Sequence, residues 1–269
     1  MNPNKELWEK GDFTQLAATM RNSGQKLVDS FNVKPGMNVL DIGCGDGTTA
    51  IPEAKSGANV LGVDISSKMV KAGNLRAANE RLTNIRFEEG DACDLKNVQS
   101  GNFDLVVSIF GAMFAPNPFD VAKEMVRVTR PGGKIIMGNW IPGDPTLVAE
   151  ILKICSQYTP QPPHGFISPM LWGIEGQVIE RFGEAGIPKE NISFLRDEFV
   201  FEAAYPPTVF LEKFRDYYGP TMNAYEAAEK NQKATGLQTE LERLFIAHNQ
   251  GDSNQTSIPA GFMRVTVQC

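Results

Sequence analysis

At 269 residues, with 42% hydrophobic and 22% charged side chains, the chain can bury one good core and has the balance of a soluble globular protein. A net charge of −6 argues against a general nucleic-acid or anionic-membrane binder, and no Lys/Arg run suggests a local basic patch. The four cysteines, Cys44, Cys93, Cys155 and Cys269, are scattered without a Cys-x-x-Cys pair, which gives neither a metal site nor a disulfide framework.

The first residues, Met1 to Lys10, lack the apolar run of a signal peptide. The longest mostly apolar run, Leu105 to Ala115, is too short to span a bilayer. The expectation is a reducing, cytoplasmic setting.

In chain order, residues 1–32 carry short amphipathic helical stretches with Trp8, Phe13, Leu16, Leu27, Val28 and Phe31 as their apolar set. Lys34-Pro35-Gly36 is a turn that ends this cap. Strand and helix patterns then alternate: strand 38–42, helix 47–56, strand 59–64, helix 66–80, strands 84–88 and 103–109, helix 118–129 and strand 133–140. Alternation at these lengths means βαβ units, hence a parallel sheet with helices on both faces.

Beyond Trp140 prolines punctuate the chain between predicted helices near 146–157 and 174–185. A strand over 192–202, a helical stretch over 206–250 and a last strand near 258–267 follow. The resulting division is an N-terminal helical cap, 1–32, and one Rossmann-like domain, 33–269, with helical cap insertions at about 141–185 and 206–250.

The chemistry concentrates at strand ends. Val39, Leu40 and Ile42 read as a buried parallel strand, which runs apolar rather than alternating. Gly43, Gly45 and Gly47 follow, allowing a tight turn and close approach of a ligand to the backbone. Asp41 in that strand suits an ammonium-bearing ligand better than a diphosphate. Asp64 ends the second strand, where an acid takes a ribose diol in dinucleotide folds. Asp91 follows the third strand and can accept from an adenine amino group, with Ile65 and Met69 as apolar surface for the ring. Each acid can also serve simply as a cap of the next helix. Three acids at successive strand ends favour ligand binding.

Val-Leu-Asp-Ile-Gly-Cys-Gly-Asp-Gly, Val-Asp-Ile-Ser, Gly-Asp-Ala, Phe-Asp-Leu-Val-Val-Ser and Arg-Val-Thr-Arg-Pro-Gly-Gly-Lys, in this order over residues 38–140, resemble class I S-adenosylmethionine-dependent methyltransferases. The resemblance implies a seven-stranded, mostly parallel sheet whose two late strands are the antiparallel sixth and seventh. It implies S-adenosyl-L-methionine as cofactor and S-adenosyl-L-homocysteine as product. Carried over, Asp41, Gly43, Gly45 and Gly47 hold the methionyl part, Asp64 and Ile65 the ribose, and Asp91 and Ala92 the adenine. Ser108 opens the stretch where methyl group and acceptor meet.

That stretch, Ser108 to Pro116, together with Trp8 to Phe13, resembles the small-molecule branch that includes ubiquinone and menaquinone methyltransferases. An Asn-Pro-Pro-Tyr type motif is missing, which speaks against nucleic-acid or amide substrates. The expected partner is therefore a small apolar or aromatic metabolite.

Phe110, Met113, Phe114, Trp140, Phe166, Met170 and Trp172 are candidates to line its pocket, each with a packing role as the alternative. Of the two histidines, His164 in the Pro-rich insert is the candidate catalytic residue, and His248 reads as a surface helix residue. Competing readings are a S-adenosylmethionine-binding protein without methyl transfer and a nicotinamide-dependent oxidoreductase. The Gly-x-Gly-x-Gly turn and the lack of a Tyr-x-x-x-Lys pair count against the latter.

Overall fold

Three short helices open the chain in the computed structural model, which describes residues 4–269: α1 (Lys5–Glu9), α2 (Thr14–Ala17) and α3 (Arg21–Asp29). Then come β1 (Asn38–Ile42), α4 (Ala50–Lys55), β2 (Asn59–Asp64), α5 (Ser67–Asn79), β3 (Ile85–Glu89), β4 (Phe103–Ile109), α6 (Pro118–Val128) and β5 (Thr129–Trp140). The rest comprises α7 (Leu147–Ser156), α8 (Glu175–Glu184), β6 (Ile192–Ala203), α9 (Pro207–Tyr217), α10 (Gly219–Lys230), α11 (Ala234–His248) and β7 (Thr256–Gln268).

The seven strands form one sheet in the order β3-β2-β1-β4-β5-β7-β6. Strands β1 to β5 are parallel and β7 lies antiparallel to both of its neighbours. Strand β6 therefore points the same way as β1 to β5. The expectation of two antiparallel late strands holds for β7 alone.

The centre of the sheet is buried because it is apolar on both faces: Val39 and Leu40 of β1 and Val106 and Val107 of β4 are fully enclosed. Helix α6 presents Val121, Ala122, Met125 and Val128, one stripe of a 3.6-residue period, to this core. At the start of β5 the register with β4 jumps from Thr129 to Lys134, so the Arg130–Gly133 turn bulges out of the ladder.

The helical stretch after β6 is three helices. Pro220 in the first turn of α10 cannot continue α9, and Gln232 at φ +57 turns the chain between α10 and α11. Phe210, Phe214 and Phe245 lock α9 to α11, with ring centroids 5.1 to 5.5 Å apart.

Chain direction across the sheet reverses between β1 and β4. From β1 the chain moves outward through β2 to β3, then returns to place β4 on the other side of β1. Such a switch point opens a crevice at the carboxyl ends of the strands. The candidate site is this crevice.

Candidate functional site

The glycine turn is shaped by two close demands. Gly43, at φ +66, approaches the loop after β4 so closely that a Cβ on it would stand 2.6 Å from the Gly111 Cα. Gly45, at φ +56, is different: a Cβ there would have no protein atom within 4 Å. It lines the cleft, so its bare backbone lets a ligand approach the turn closely. Gly47 packs behind the turn against Ile51 and Phe87 and is not in the wall.

The acids divide between wall and support. Asp64 lines the cleft and accepts from the Gly45 and Ser66 amides, both at 2.8 Å. Burial pushes its carboxyl up from the ordinary range, against the pull of those amides. Asp91 lines the cleft beside Ala92 and accepts from the Cys93 amide at 2.9 Å. Ile65 and Met69 complete the wall between them.

Asp41 does not reach the surface of the cleft. It is enclosed behind the turn, where the Thr49 hydroxyl donates to Oδ2 at 2.6 Å and Oδ1 has no partner. Burial pushes it up to about 7. Glu53 on α4 is equally enclosed, both oxygens without partners, and burial followed by the charge of Asp41 pushes it well up. Ser108 is also structural: its hydroxyl donates to the Ile42 carbonyl at 2.7 Å and accepts from the Ala112 amide at 2.9 Å, tying β4 to β1.

The cleft, about 1310 Å³ with its open mouth included, has two halves. One is polar, walled by the glycine turn, Asp46, Thr48, Thr49, Asp64 and Asp91. The other is apolar and aromatic, walled by Phe13, Phe110, Trp140, Phe199, Phe201, Phe214 and Tyr218, with Leu16, Met20 and Val148 between them. Phe110 lies flat on Trp140, centroids 3.6 Å apart and planes 8° from parallel. Its backbone takes φ +59, a left-handed conformation that costs about 1–3 kcal/mol and holds the ring in that stack.

Several expected pocket residues lie elsewhere. Met113 is buried in the core beneath the turn after β4 and is not in the wall. Trp172 sits under the Arg181 guanidinium, 4.5 Å from its ring, and edges onto Phe182. Phe166 is 56% exposed in the Pro-rich loop. His164 is exposed on the same loop and does not line the cleft. Phe110, Phe114 and Trp140 are in the wall.

Sequence reading missed Asp46, Phe199, Phe201, Phe214 and Tyr218. The alternation of Phe199 and Phe201 marks one face of a strand, but only the sheet order aims that face at the cleft. Asp46 is nearly enclosed and is held by Arg21 from α3 and by Arg76 from α5. No local pattern signals that cluster.

A bare-backbone glycine turn, two acids in the wall and an apolar plate between them, at the switch point of an open α/β sheet, define a nucleoside-cofactor-binding protein. Comparison with known proteins narrows this. The methyltransferase-domain family matches residues 40–137. The chain belongs to the class I S-adenosylmethionine-dependent methyltransferases, and S-adenosylmethionine is its cofactor.

An uncharacterized protein of Mycobacterium tuberculosis is 30% identical over 243 residues, 90% of this chain and 85% of that protein. The demethylmenaquinone methyltransferase of Renibacterium salmoninarum is 36% identical over 114 residues, 42% of this chain and 46% of that protein. The fold is similar to that of Haemonchus contortus phosphoethanolamine N-methyltransferase 2, solved with phosphomonomethylethanolamine and S-adenosylhomocysteine. The TM-score is 0.56 at 20% identity, over 92% of this chain and 52% of that one. Among the described residues no helix is long and apolar enough to cross a membrane.

Proposed function

We propose that the protein moves the methyl group of S-adenosylmethionine to a small, uncharged, apolar or aromatic acceptor. One observation carries this reading: no carboxylate, imidazole, ammonium or guanidinium lines the aromatic half of the cleft among the described residues. An ionic acceptor entering that half would lose its hydration without a counter-charge. A flat apolar one gains burial against Phe110 and Trp140.

The cofactor supplies an activated methyl group on a sulfonium. In this reading Gly45 and its neighbours admit the methionyl part to the backbone, Asp64 takes the ribose diol, and Asp91 with Ile65, Met69 and Ala92 takes the adenine. Asp41, which burial raises to about 7, favours a cation at the turn when it ionises, while Glu53 stays protonated behind it. The aromatic half fixes the acceptor and excludes water, so alignment supplies much of the rate.

The test uses S-adenosylmethionine labelled in the methyl group, incubated with the protein and a fractionated metabolite extract. Label is expected in a molecule of the apolar fraction, dependent on Gly45. Label confined to ionic metabolites, protein or nucleic acid would sink the proposal.

A further inference from the structure

Tyr218, between α9 and α10, stands at the roof of the aromatic half. Its ring lies 5.3 Å from Phe214 and 6.1 Å from both Trp8 and Phe13, centroid to centroid. These neighbours fix the ring without using the hydroxyl. No described residue hydrogen-bonds to Tyr218 Oη. Nor is that oxygen among the fully enclosed polar atoms that lack a partner. The side chain is 6% exposed and lines the cleft, so its unpartnered oxygen is within a ligand's reach from there.

Apart from the indole N–H groups of Trp8 and Trp140, which can donate but never accept, the other polar side chains in the wall are engaged or belong to the polar half. Asn4 donates to the Phe114 carbonyl at 2.5 Å. Asp46 is paired with Arg21, Thr49 with Asp41, and Asp64 with two backbone amides. Thr48 and Asp91 flank the glycine turn and the adenine plate.

An unpartnered hydroxyl in an apolar chamber is costly to leave dry, and it discriminates between ligands that can and cannot pair with it. We propose that Tyr218 Oη is the acceptor-orienting group of this site, hydrogen-bonded to a single hydroxyl or carbonyl oxygen on an otherwise apolar, flat acceptor. This assignment rests on the methyl-transfer reading of the cleft.

Burial pushes the Tyr218 hydroxyl well above its ordinary range, and the neighbouring Cys155 thiol is itself pushed up to about 12, so both stay protonated at working pH. Tyr218 thus donates to the acceptor oxygen and does not take its proton. In the transfer the bond from acceptor to methyl carbon forms as the carbon–sulfur bond breaks, and that electron pair stays on sulfur. The acceptor's proton leaves to solvent. Tyr218 keeps its own throughout. The acceptor is accordingly one that enters neutral and whose nucleophilic atom needs no base from the protein, such as the carbon of an enol, whose hydroxyl proton leaves after the new bond has formed.

The experiment is a two-by-two comparison on protein saturated with S-adenosylhomocysteine. Binding of 2-naphthol and of naphthalene is read by quenching of the cleft tryptophans, Trp8 and Trp140, in the natural chain and in Tyr218→Phe. The substitution removes no hydrogen bond within the protein, so the melting temperature should not move. The variant should weaken 2-naphthol by about five- to tenfold, the worth of one hydrogen bond, and leave naphthalene within twofold. Equal losses for the two probes, no loss for either, or failure of 2-naphthol to bind the loaded natural protein each overturn the assignment. Failure of the underlying reading shows separately, as absence of S-adenosylhomocysteine binding before any naphthol is added.

Discussion

Arg21, the first residue of α3, reaches into the glycine turn and forks the Asp46 carboxylate, Nη1 to Oδ1 at 3.2 Å and Nη2 to Oδ2. The pair joins the N-terminal helices to the loop that faces the cofactor. Asp46 is 2% exposed, and Arg76 alone would be left to balance it if Arg21 were removed. A buried carboxylate with half its compensation costs stability. Because Arg21 is itself partly in water, the loss in Arg21→Ala should be about 1–2 kcal/mol. It should fall on the cap first, as faster hydrogen exchange over residues 5–29. S-adenosylhomocysteine affinity should drop with it. Unchanged exchange in the cap would mean that the pair is ornamental to docking.

A second joint is made by backbone approach. Gly11 passes the α9–α10 junction so tightly that a Cβ on it would lie 2.2 Å from the Tyr217 carbonyl oxygen, and Gly219 approaches the Leu7 carbonyl in the same way. Trp8 adds an edge contact to Phe114 with centroids 5.0 Å apart. Gly11→Ala should therefore undock the cap while leaving the sheet intact, since the three atoms nearest that Cβ all belong to Tyr217. We expect residues 5–20 to lose exchange protection and the cleft to lose cofactor affinity, with far-ultraviolet dichroism nearly unchanged. In the natural protein, S-adenosylhomocysteine should slow exchange in residues 5–20 as well as at the glycine turn. Protection at the turn alone would make the cap a fixed appendage and not a lid.

Asp64 has two duties that one substitution can separate. Its carboxylate already clamps Gly45 and Ser66, and each oxygen has a second lone pair for a ribose hydroxyl. Asp64→Ala should lower S-adenosylhomocysteine affinity by about ten- to a hundredfold, the worth of charge-assisted bonds. It should also cost about 1–2 kcal/mol of stability, because two amides lose their acceptor. Calorimetry and thermal melting on the same variant read both. A lower melting temperature with undiminished affinity would reduce Asp64 to a turn clamp.

The sheet was legible because strands covered on both faces spell continuous apolar runs, and the ligand-bearing acids stand at their ends. Val39 to Ile42 and Asn59 to Asp64 are of this kind, and Asp64 lies in the wall. Depth was not legible. Asp41 and Asp64 both stand near strand ends and on the same face, yet Asp41 lies two residues further back in register and is enclosed, while Asp64 reaches the cleft. The acceptor wall was harder still. Trp172 and Phe199 are both aromatics amid apolar neighbours, and only the crossing that sets β7 between β5 and β6 decides which one faces the ligand. Arg21 and Asp46 meet across a gap of sequence that carries no periodicity.

Glu53 and Asp41 form a buried acidic pair behind the turn, and their effect on stability has a definite sign. Both carboxyls are raised by burial from ordinary values of 4.5 and 3.8, Asp41 to about 7. The folded state therefore keeps protons that the unfolded chain releases. Below about pH 4 both states hold them, and the pair costs nothing on this account. As pH rises from about 4 through 7 the unfolded chain gains the advantage, so stability falls across that window. Glu53→Gln preserves the side chain's shape and removes its share of this loss. The variant should melt several degrees higher than the natural protein at pH 8, and the two should converge near pH 4.5. Asp41→Asn should behave likewise but lose affinity for the cationic cofactor more than for its uncharged product. Thermal melts from pH 4.5 to 8.5 decide the matter: a Glu53→Gln curve parallel to that of the natural protein would show that Glu53 is ionised and paired within the fold.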